Sequence, residues 1–293
     1  WIAASLWILL EFALTVPVVA FGFPFLPNLG NTQWNVPSLI QIASLTGVLG
    51  VSFLIVLINA ALAAALRTRQ WRTLLPALAL LALVWIGGWL RIQAADRAPQ
   101  ETASPIRVAV LQGDIPPFPK FERVQGNLLA QRYLDLARKA SEARPNLVIW
   151  TESAVPWALE EGDDLVETAL KITQPAQACH LVGTLFRAPG GPTNAFHSTA
   201  FLILPDGQIV AQYHKMRLIA MAELPVNLPG VTHPVCALSG PNGERLVPGS
   251  SLSVLDSPLG RIGVTICNES LYSDMTRALV QRGAGLLVAM SND

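Results

Sequence analysis

The chain has 293 residues, of which 52% are hydrophobic and 14% carry a charge, and its formal net charge is zero. In an ordinary soluble domain about a quarter of the residues are charged, so this composition is too apolar for a single soluble globule. Residues 96–293 contain no dense basic patch. The sequence therefore gives no electrostatic reason to expect nucleic acid as a partner.

The charged residues are distributed unevenly along the chain. Between Trp1 and Leu90 the only ones are Glu11, Arg67, Arg69 and Arg72, whereas they occur at ordinary density from residue 91 onward. Two regions in two different solvents explain this distribution better than one uniform domain.

Three long apolar runs occupy the first region: Trp1–Phe21, Leu45–Leu66 and Leu74–Leu90. Each is close to the roughly 20 residues that a helix needs to cross the hydrocarbon core of a bilayer. A signal peptide is the alternative for the first run, although it lacks a basic start and a small-residue cleavage site. Buried helices of a large soluble protein are the alternative for all three. We expect transmembrane helices.

The arginines predict an orientation for these helices. Arg67, Arg69 and Arg72 lie in the short turn between the second and third runs. Because positive charge favours the cytoplasmic side, the turn is expected there, and the third helix then carries the chain outward. The residues after about Asp96 are thus expected in the periplasm of a bacterium with two membranes.

The segment Gly22–Val36 differs from the apolar runs on either side. It interleaves aromatic residues with glycine and asparagine, and Pro24 and Pro27 exclude a regular spanning helix. With the predicted orientation it lies on the periplasmic side. A simple connecting loop and an aromatic arm that grips a substrate remain equally open.

After a linker at Arg97–Pro105, the sequence alternates between strand and helix patterns, which favours a layered α/β domain. Asp206-Gly207 predicts a hairpin turn. The predicted strands are Ile106–Gln112, Leu147–Trp150, His180–Leu185, Ser198–Leu204, Gln208–Tyr213, Leu252–Leu255, Arg261–Ile266 and Gly285–Met290, and the predicted helices are Phe121–Ala143, Leu165–Ile172 and Ser273–Arg282.

Three chemically reactive side chains stand just beyond predicted strands. Glu152 closely follows Leu147–Trp150, Lys215 follows the strand ending at Tyr213, and Cys267 follows Ile266. Strand ends are where α/β folds present reactive groups. A thiol needs a base and a cationic neighbour to attack a carbonyl, and an ammonium can stabilise the resulting oxyanion. Taken singly, each residue also fits a structural role, as a core cysteine, a turn cap or a surface charge.

Other site types find little support. No Gly-x-Ser-x-Gly elbow is present, which argues against an α/β-hydrolase. We expect no metal and no cofactor, because the four histidines lack the clustered spacing of a metal site. Those histidines are His180, His197, His214 and His233. Cys179 and Cys236 could form a disulfide in the periplasm, but nothing in the sequence places them together.

The segments around the reactive residues resemble those of the nitrilase superfamily in residues, order and spacing. They are Ile149–Ser153, Tyr213–Leu218 and Ile266–Glu269. This resemblance implies an αββα sandwich that carries a Glu-Lys-Cys set.

The membrane region narrows the resemblance. The segments Pro37–Gly47, Gly50–Leu54 and Val110–Pro116 are similar to the apolipoprotein N-acyltransferase family. The resemblance implies membrane helices with a periplasmic aromatic loop in residues 1–96 and a nitrilase-like catalytic domain in residues 97–293. It also implies that the chain is truncated at both ends, with an incomplete catalytic domain.

For the reaction, the resemblance implies that Cys267 takes a fatty acyl chain from a phospholipid as a thioester. The acyl chain then passes to the N-terminal amine of a diacylglyceryl lipoprotein. Glu152 would be the general base and Lys215 the charge stabiliser, with Glu223 and Glu269 in support. The expected location is the bacterial inner membrane, crossed several times, with the catalytic domain facing the periplasm.

The sequence departs from the family pattern at three places. Thr151 replaces a proline, Ala220–Ala222 replaces a Pro-Phe-Gly turn before Glu223, and Asn268 replaces an aromatic residue. Two alternatives therefore stay open. One is a membrane-tethered nitrilase-type amide hydrolase, and the other is an inactive scaffold.

Overall fold

The computed structural model describes residues 1–21, 28–97, 105–114, 123–158, 164–192, 194–225 and 245–291. The chain divides into two compact units, Trp1–Ala103 and Ser104–Asp293. Each unit has its own fold and its own core.

The first unit is helical. The helices are α1 (Ile2–Phe21), α2 (Pro37–Ile40), α3 (Ala43–Thr46), α4 (Val48–Thr68) and α5 (Leu75–Arg97), with 3-10 helices at Leu29–Gln33 and Trp71–Leu74. All three predicted apolar runs are helical. Among the described residues, two helical stretches are long and apolar enough to cross a membrane, Val48–Thr68 and Trp71–Arg97, and α1 adds a shorter apolar segment, Ile2–Thr15.

Glu11, the one acidic residue of α1, joins this helix to the next segment. It is 3% exposed. One carboxylate oxygen accepts hydrogen bonds from Trp7 Nε1 at 2.6 Å and from the Leu29 backbone N–H at 2.9 Å. The next N–H, on Gly30, donates to Ser52 Oγ of α4 at 2.8 Å. The start of the 3-10 helix thus finds side-chain acceptors for N–H groups that have no partner within the helix.

The segment predicted as an aromatic loop is therefore fixed at its described end. Residues 22–27 of that segment, including both prolines, lie outside the described residues. Trp34 is 75% exposed.

The described residues of the second unit form two β-sheets and three α-helices. The larger sheet has the order β1-β2-β4-β5-β6, with β3 paired to β4 and β7 to β5, and the smaller sheet has the order β10-β9-β8. The strands are β1 (Val108–Leu111), β2 (Leu147–Trp150), β3 (Val155–Ala158), β4 (Cys179–Arg187), β5 (Ala195–Ile203), β6 (Ile209–His214), β7 (Arg245–Leu246), β8 (Val254–Ser257), β9 (Gly260–Ile266) and β10 (Leu286–Met290). The helices are α6 (Arg123–Glu142), α7 (Asp164–Thr173) and α8 (Ser273–Gln281).

Every strand and helix predicted in this unit is present, with ends that differ by a few residues. The hairpin at Asp206-Gly207 is confirmed, since β5 and β6 pair antiparallel and Gly207 has φ 92°. Two strands were missed. β3 contains Pro156, a residue that argues against a strand, and β7 is two residues long, too short for any alternation to show.

Two cores set the order of the layers. On one face of the larger sheet, Trp150 and Val182 pack with Tyr133 of α6 and Val166 of α7. On its other face, side chains including Leu181 pack against the smaller sheet. Helix α8 packs against the smaller sheet at Gly263 of β9. The packing is close, since a Cβ built on Gly263 would lie 3.1 Å from Cβ of Leu279 in α8. The layers follow the order αββα, so the predicted fold class is confirmed.

The apolar spacing of Leu129, Tyr133, Leu136 and Ala140 predicts one buried face for α6, and the structure confirms it. Leu129 and Tyr133 are buried, and Leu136 and Ala140 are partly buried against the same core. Ala137, which the spacing did not single out, is fully buried as well.

A buried histidine links the central strands to α7. Trp150 Nε1 donates to His180 Nδ1 at 3.1 Å, so the ring proton lies on Nε2, which faces Thr173 Oγ1 at 2.8 Å. His180 is fully buried, and burial lowers its pKa to about 4. Protonation would turn Nδ1 into a donor that faces the indole N–H, so the folded chain keeps this imidazole neutral.

We expect the free energy of unfolding to fall as the pH decreases from 6.5 to about 4, since the unfolded chain binds a proton at the ordinary histidine pKa and folded His180 does not. The loss is on the order of 3 kcal/mol. Thermal unfolding of the detergent-solubilised protein as a function of pH measures it. A His180→Gln variant, which cannot titrate, should show a shallower slope, and an unchanged slope would contradict this assignment.

Candidate active site

The structure places Glu152, Lys215 and Cys267 just beyond strand ends, as the sequence predicts. Glu152 lies two residues after β2, and Lys215 directly follows β6. Cys267 directly follows β9 and begins a 3-10 helix, Cys267–Leu271, which also contains Glu269. Glu223 lies in the turn after Lys215. These positions belong to both sheets, so the packing of one sheet on the other determines whether the side chains meet.

Lys215 lies at the centre of the group. Its side chain is fully buried, and Nζ donates to Glu152 Oε1 at 3.1 Å and to Glu223 Oε1 at 2.7 Å. Burial alone would lower the pKa of Lys215, but the two carboxylates outweigh it and raise this pKa above its usual value. The ammonium therefore stays charged in the interior.

The turn that carries Glu223 is well defined despite its unusual sequence. Glu223 Oε2 accepts the Ile219 N–H at 2.9 Å, and the Met221 N–H donates to the Leu224 carbonyl at 2.9 Å. Met221 takes the left-handed conformation, with φ 63°. The change of sequence at Ala220–Ala222 thus leaves Glu223 in contact with the lysine.

Glu269 is fully buried and joins the two segments that carry the lysine and the cysteine. Its Oε1 accepts from the backbone N–H groups of Met216 at 2.7 Å and Arg217 at 3.0 Å. Its Oε2 accepts from the Ile266 N–H at 2.9 Å, and the Tyr213 hydroxyl lies 2.9 Å from both oxygens. Burial raises the pKa of Glu269, although these donors favour its charged form.

Cys267 adopts a conformation that is uncommon for a residue with a side chain. Its φ is 54°, in the left-handed region. The side chain is half-buried. Burial raises the pKa of the Cys267 thiol to about 11; the carboxylates of Glu152 and Glu223 also raise it, and Lys215 opposes them. The thiol is thus protonated at neutral pH, within the electrostatic reach of a carboxylate and an ammonium.

Two glycines, which were not predicted from the sequence, allow backbone segments next to the site to pack closely together. A Cβ on Gly183 of β4 would lie 2.4 Å from the Thr151 carbonyl oxygen and 2.9 Å from Glu152 Cα. A Cβ on Gly249 would lie 2.4 Å from the His214 carbonyl oxygen. Gly183 could have been noticed as an isolated glycine within a strand, which often marks a close backbone contact. Gly249 lies in a loop and gives no such signal.

The other described positions named in the sequence analysis do not contribute reactive groups to this site. Cys179 is free and buried, and Cys236 lies outside the described residues. Thr151, which replaces the proline, has its hydroxyl 2.6 Å from the Tyr133 hydroxyl. In the part of the chain that the structure describes, no group of three or more His, Cys, Asp or Glu side chains could hold a metal ion.

Chemically, the site combines a thiol, two carboxylates and a buried ammonium. A carboxylate can take the thiol proton, the sulfur can attack a carbonyl carbon, and the ammonium can stabilise the oxyanion that forms. This set suits acyl transfer through a thioester.

The sequence profile of the carbon-nitrogen hydrolase family matches residues 107–293, and that of the apolipoprotein N-acyltransferase N-terminal domain matches residues 1–61. The chain therefore belongs to the carbon-nitrogen hydrolase family. One profile thus matches most of the second unit, and the other matches the first part of the helical unit.

Curated relatives agree with both profiles. The apolipoprotein N-acyltransferase of Geobacter metallireducens is 32% identical over 98% of this chain and 55% of its own length. That of Shewanella oneidensis is 27% identical over 99% of this chain and 55% of its own length. The resemblance to this enzyme family is confirmed, and the chain spans about half the length of the curated relatives it matches.

Among solved structures, the chain is similar to the NitFhit protein of C. elegans and to an amidase from Nesterenkonia sp. For NitFhit the identity is 18% and the TM-score 0.44, covering 63% of this chain and 42% of that one. For the amidase the identity is 22% and the TM-score 0.45, covering 64% of this chain and 65% of that one.

We expect Gly183→Ala to slow acylation of Cys267 by about tenfold or more, because the new methyl group must displace the backbone at Glu152 and small misplacements at a reacting centre are costly. The measurement is the rate of Cys267 acylation by an activated ester in the detergent-solubilised protein. Gly285→Ala is the matched control, since its Cβ would have one neighbour, the Arg261 carbonyl oxygen, at 3.9 Å. Equal rates in both variants would contradict this role for Gly183.

Proposed function

We propose that this chain is the catalytic part of a membrane N-acyltransferase that moves a fatty acyl chain from a phospholipid to the N-terminal amine of a diacylglyceryl lipoprotein. The observation that carries the proposal is the fully buried Lys215 ammonium, paired with Glu152 and Glu223 close to the Cys267 thiol. The curated relatives are named apolipoprotein N-acyltransferases, which supports a lipoprotein amine as the acceptor.

In the first half-reaction, Glu152 takes the proton of the Cys267 thiol as the sulfur attacks the ester carbonyl of the phospholipid. Negative charge develops on the carbonyl oxygen, and the Lys215 ammonium stabilises it. The tetrahedral intermediate then collapses, the carbon–oxygen bond to the glycerol breaks, and the departing oxygen takes the proton from Glu152. The products are an acyl-thioester on Cys267 and a lysophospholipid.

In the second half-reaction, the lipoprotein amine attacks the thioester carbonyl. Glu152 takes a proton from the attacking nitrogen and delivers it to the departing Cys267 sulfur. An amide bond forms and the thiol is regenerated. The high pKa of this thiol in the resting site favours its return to the protonated state.

Glu223 keeps the ammonium in place during both steps. When Glu152 holds the thiol proton it is neutral and no longer compensates the charge of Lys215. Glu223, at 2.7 Å from Nζ, still does. Glu269 acts on the backbone instead, because its hydrogen bonds hold the segments next to Lys215 and Cys267. Both are positioning residues in this proposal.

The helical unit gives this chemistry its location. Both proposed substrates carry lipid chains. Residues 1–96 would anchor the catalytic domain, residues 97–293, to the bilayer. Arg67 lies in the last turn of α4, and Arg69 and Arg72 follow in the connection to α5. With that turn in the cytoplasm, the chain after α5 faces the periplasm. The proposed location is therefore the bacterial inner membrane, with several crossings.

We expect the membrane-extracted protein, supplied with phospholipid, to gain the mass of one fatty acyl group, and hydroxylamine to remove it, because the proposed intermediate is a thioester. Intact-mass measurement tests this. Cys267→Ala should gain nothing, whereas Cys179→Ala, which removes the other described cysteine, should be acylated like the native protein.

Addition of a diacylglyceryl lipopeptide separates the proposal from its alternatives. The acyl mass should leave the protein and appear on the lipopeptide amine. Release as free fatty acid at the same rate with and without lipopeptide would favour a hydrolase. An unmodified mass in every sample would favour an inactive scaffold.

A further inference from the structure

A groove of about 480 Å³ lies in the first unit, between α5 and the segment that carries α2 and α3. Its walls include Leu83, Ile86 and Leu90 of α5 and Ile42 and Leu45 opposite. The lining is apolar over most of its length. Leu83 and Leu90 are seven residues apart, so the groove follows about 10 Å of the helix.

Two adjacent glycines of α5 form the groove. A Cβ on Gly88 would lie 1.8 Å from the Ser38 carbonyl oxygen, so this glycine lets α5 pack directly on the backbone of α2. A Cβ on Gly87 would meet no atom within 4 Å. Gly87 therefore faces open space, and no described side chain fills the groove at that point.

One end of the groove is polar and positively charged. Arg91 lines it, is exposed, and donates through Nη1 to Ser44 Oγ. Ser44 Oγ in turn donates to the Gln41 carbonyl oxygen at 2.8 Å, which holds the hydroxyl in place. Among the described residues no carboxylate forms an ion pair with Arg91. The guanidinium has further N–H groups with which to bind an anion.

The ligand that fits is an amphiphile with an anionic head. Because Trp71–Arg97 is apolar and long enough to cross a bilayer, lipid is the expected surrounding of the groove. Arg91 lies in the last two turns of this helix, where a side chain reaches the headgroup region. A guanidinium binds phosphate through paired hydrogen bonds, and the apolar walls match a hydrocarbon chain.

We propose that this groove is a phospholipid-binding site, in which Arg91 binds the phosphate and the apolar walls hold one acyl chain. The site is built from the first unit alone. The proposed lipid site is therefore independent of the proposed reaction at Cys267, and each can be tested without the other.

The test is native mass spectrometry of the detergent-solubilised full chain, titrated with dioleoylphosphatidylglycerol. All proteins carry Cys267→Ala, so that the proposed thioester chemistry cannot consume the lipid. Arg91→Gln, which removes the phosphate partner, and Gly87→Phe, which fills the groove, should each weaken binding by about tenfold or more.

Two variants are matched controls. Arg72→Gln removes an exposed arginine from the 3-10 helix that precedes α5, far along the chain from Arg91. Ala82→Phe adds the same bulk at an exposed position of α5 outside the groove. Both should bind the lipid like the parent protein. Dioleoylglycerol, which lacks the phosphate, should bind more weakly and should not distinguish Arg91→Gln from the parent.

Three outcomes would overturn the proposal. One is equal phosphatidylglycerol binding by the parent, Arg91→Gln and Gly87→Phe. Another is an equal loss in the control variants, and the third is a crosslink showing that another part of the chain occupies the groove. If Gly87→Phe fails to fold, Arg91→Gln still decides, because it changes an exposed side chain.

Discussion

The buried ammonium of Lys215 is the constraint on which the rest of the candidate site depends. An unpaired charge in a protein interior costs several kcal/mol, so a fully buried lysine requires carboxylates close by. Glu152 comes from the end of β2 and Glu223 from a turn after β6, and both must converge on one nitrogen. The same charge lies near Cys267, where it can stabilise an oxyanion.

Backbone contacts keep this arrangement in place. Glu269 binds the chain on either side of the site, at Met216 and at Ile266, and thereby joins the end of β6 to the end of β9. Gly183 and Gly249 allow the backbones at Glu152 and Lys215 to come close to their neighbours. The contacts that stabilise the fold are therefore also the ones that position the Lys215 ammonium and its two carboxylate partners.

Much of this could be predicted from the sequence. The short apolar run Leu147–Trp150 and the strand pattern at Arg261–Ile266 predicted the strands that present Glu152 and Cys267. The resemblance to the family added Glu223 and Glu269. The two-residue strand β7 was invisible, because pairing rather than pattern defines it. The roles of Gly249 and of Gly87 could not be predicted either. Each depends on which atoms surround the glycine in the folded chain, and the sequence does not show these.

The proposed mechanism requires a Cys267 thiol that is protonated at rest, with Glu152 as the base that takes its proton. The most direct test is the rate of iodoacetamide alkylation at Cys267 against pH, followed by mass analysis of the peptide that contains it. We expect a rate that rises about tenfold per pH unit from about pH 7 to about pH 9, because this range lies below a thiol pKa of about 11. In Glu152→Gln the thiol pKa should fall, because a negative charge that raises it is gone. A rate independent of pH over this range would show a thiolate already formed at rest and would contradict the account.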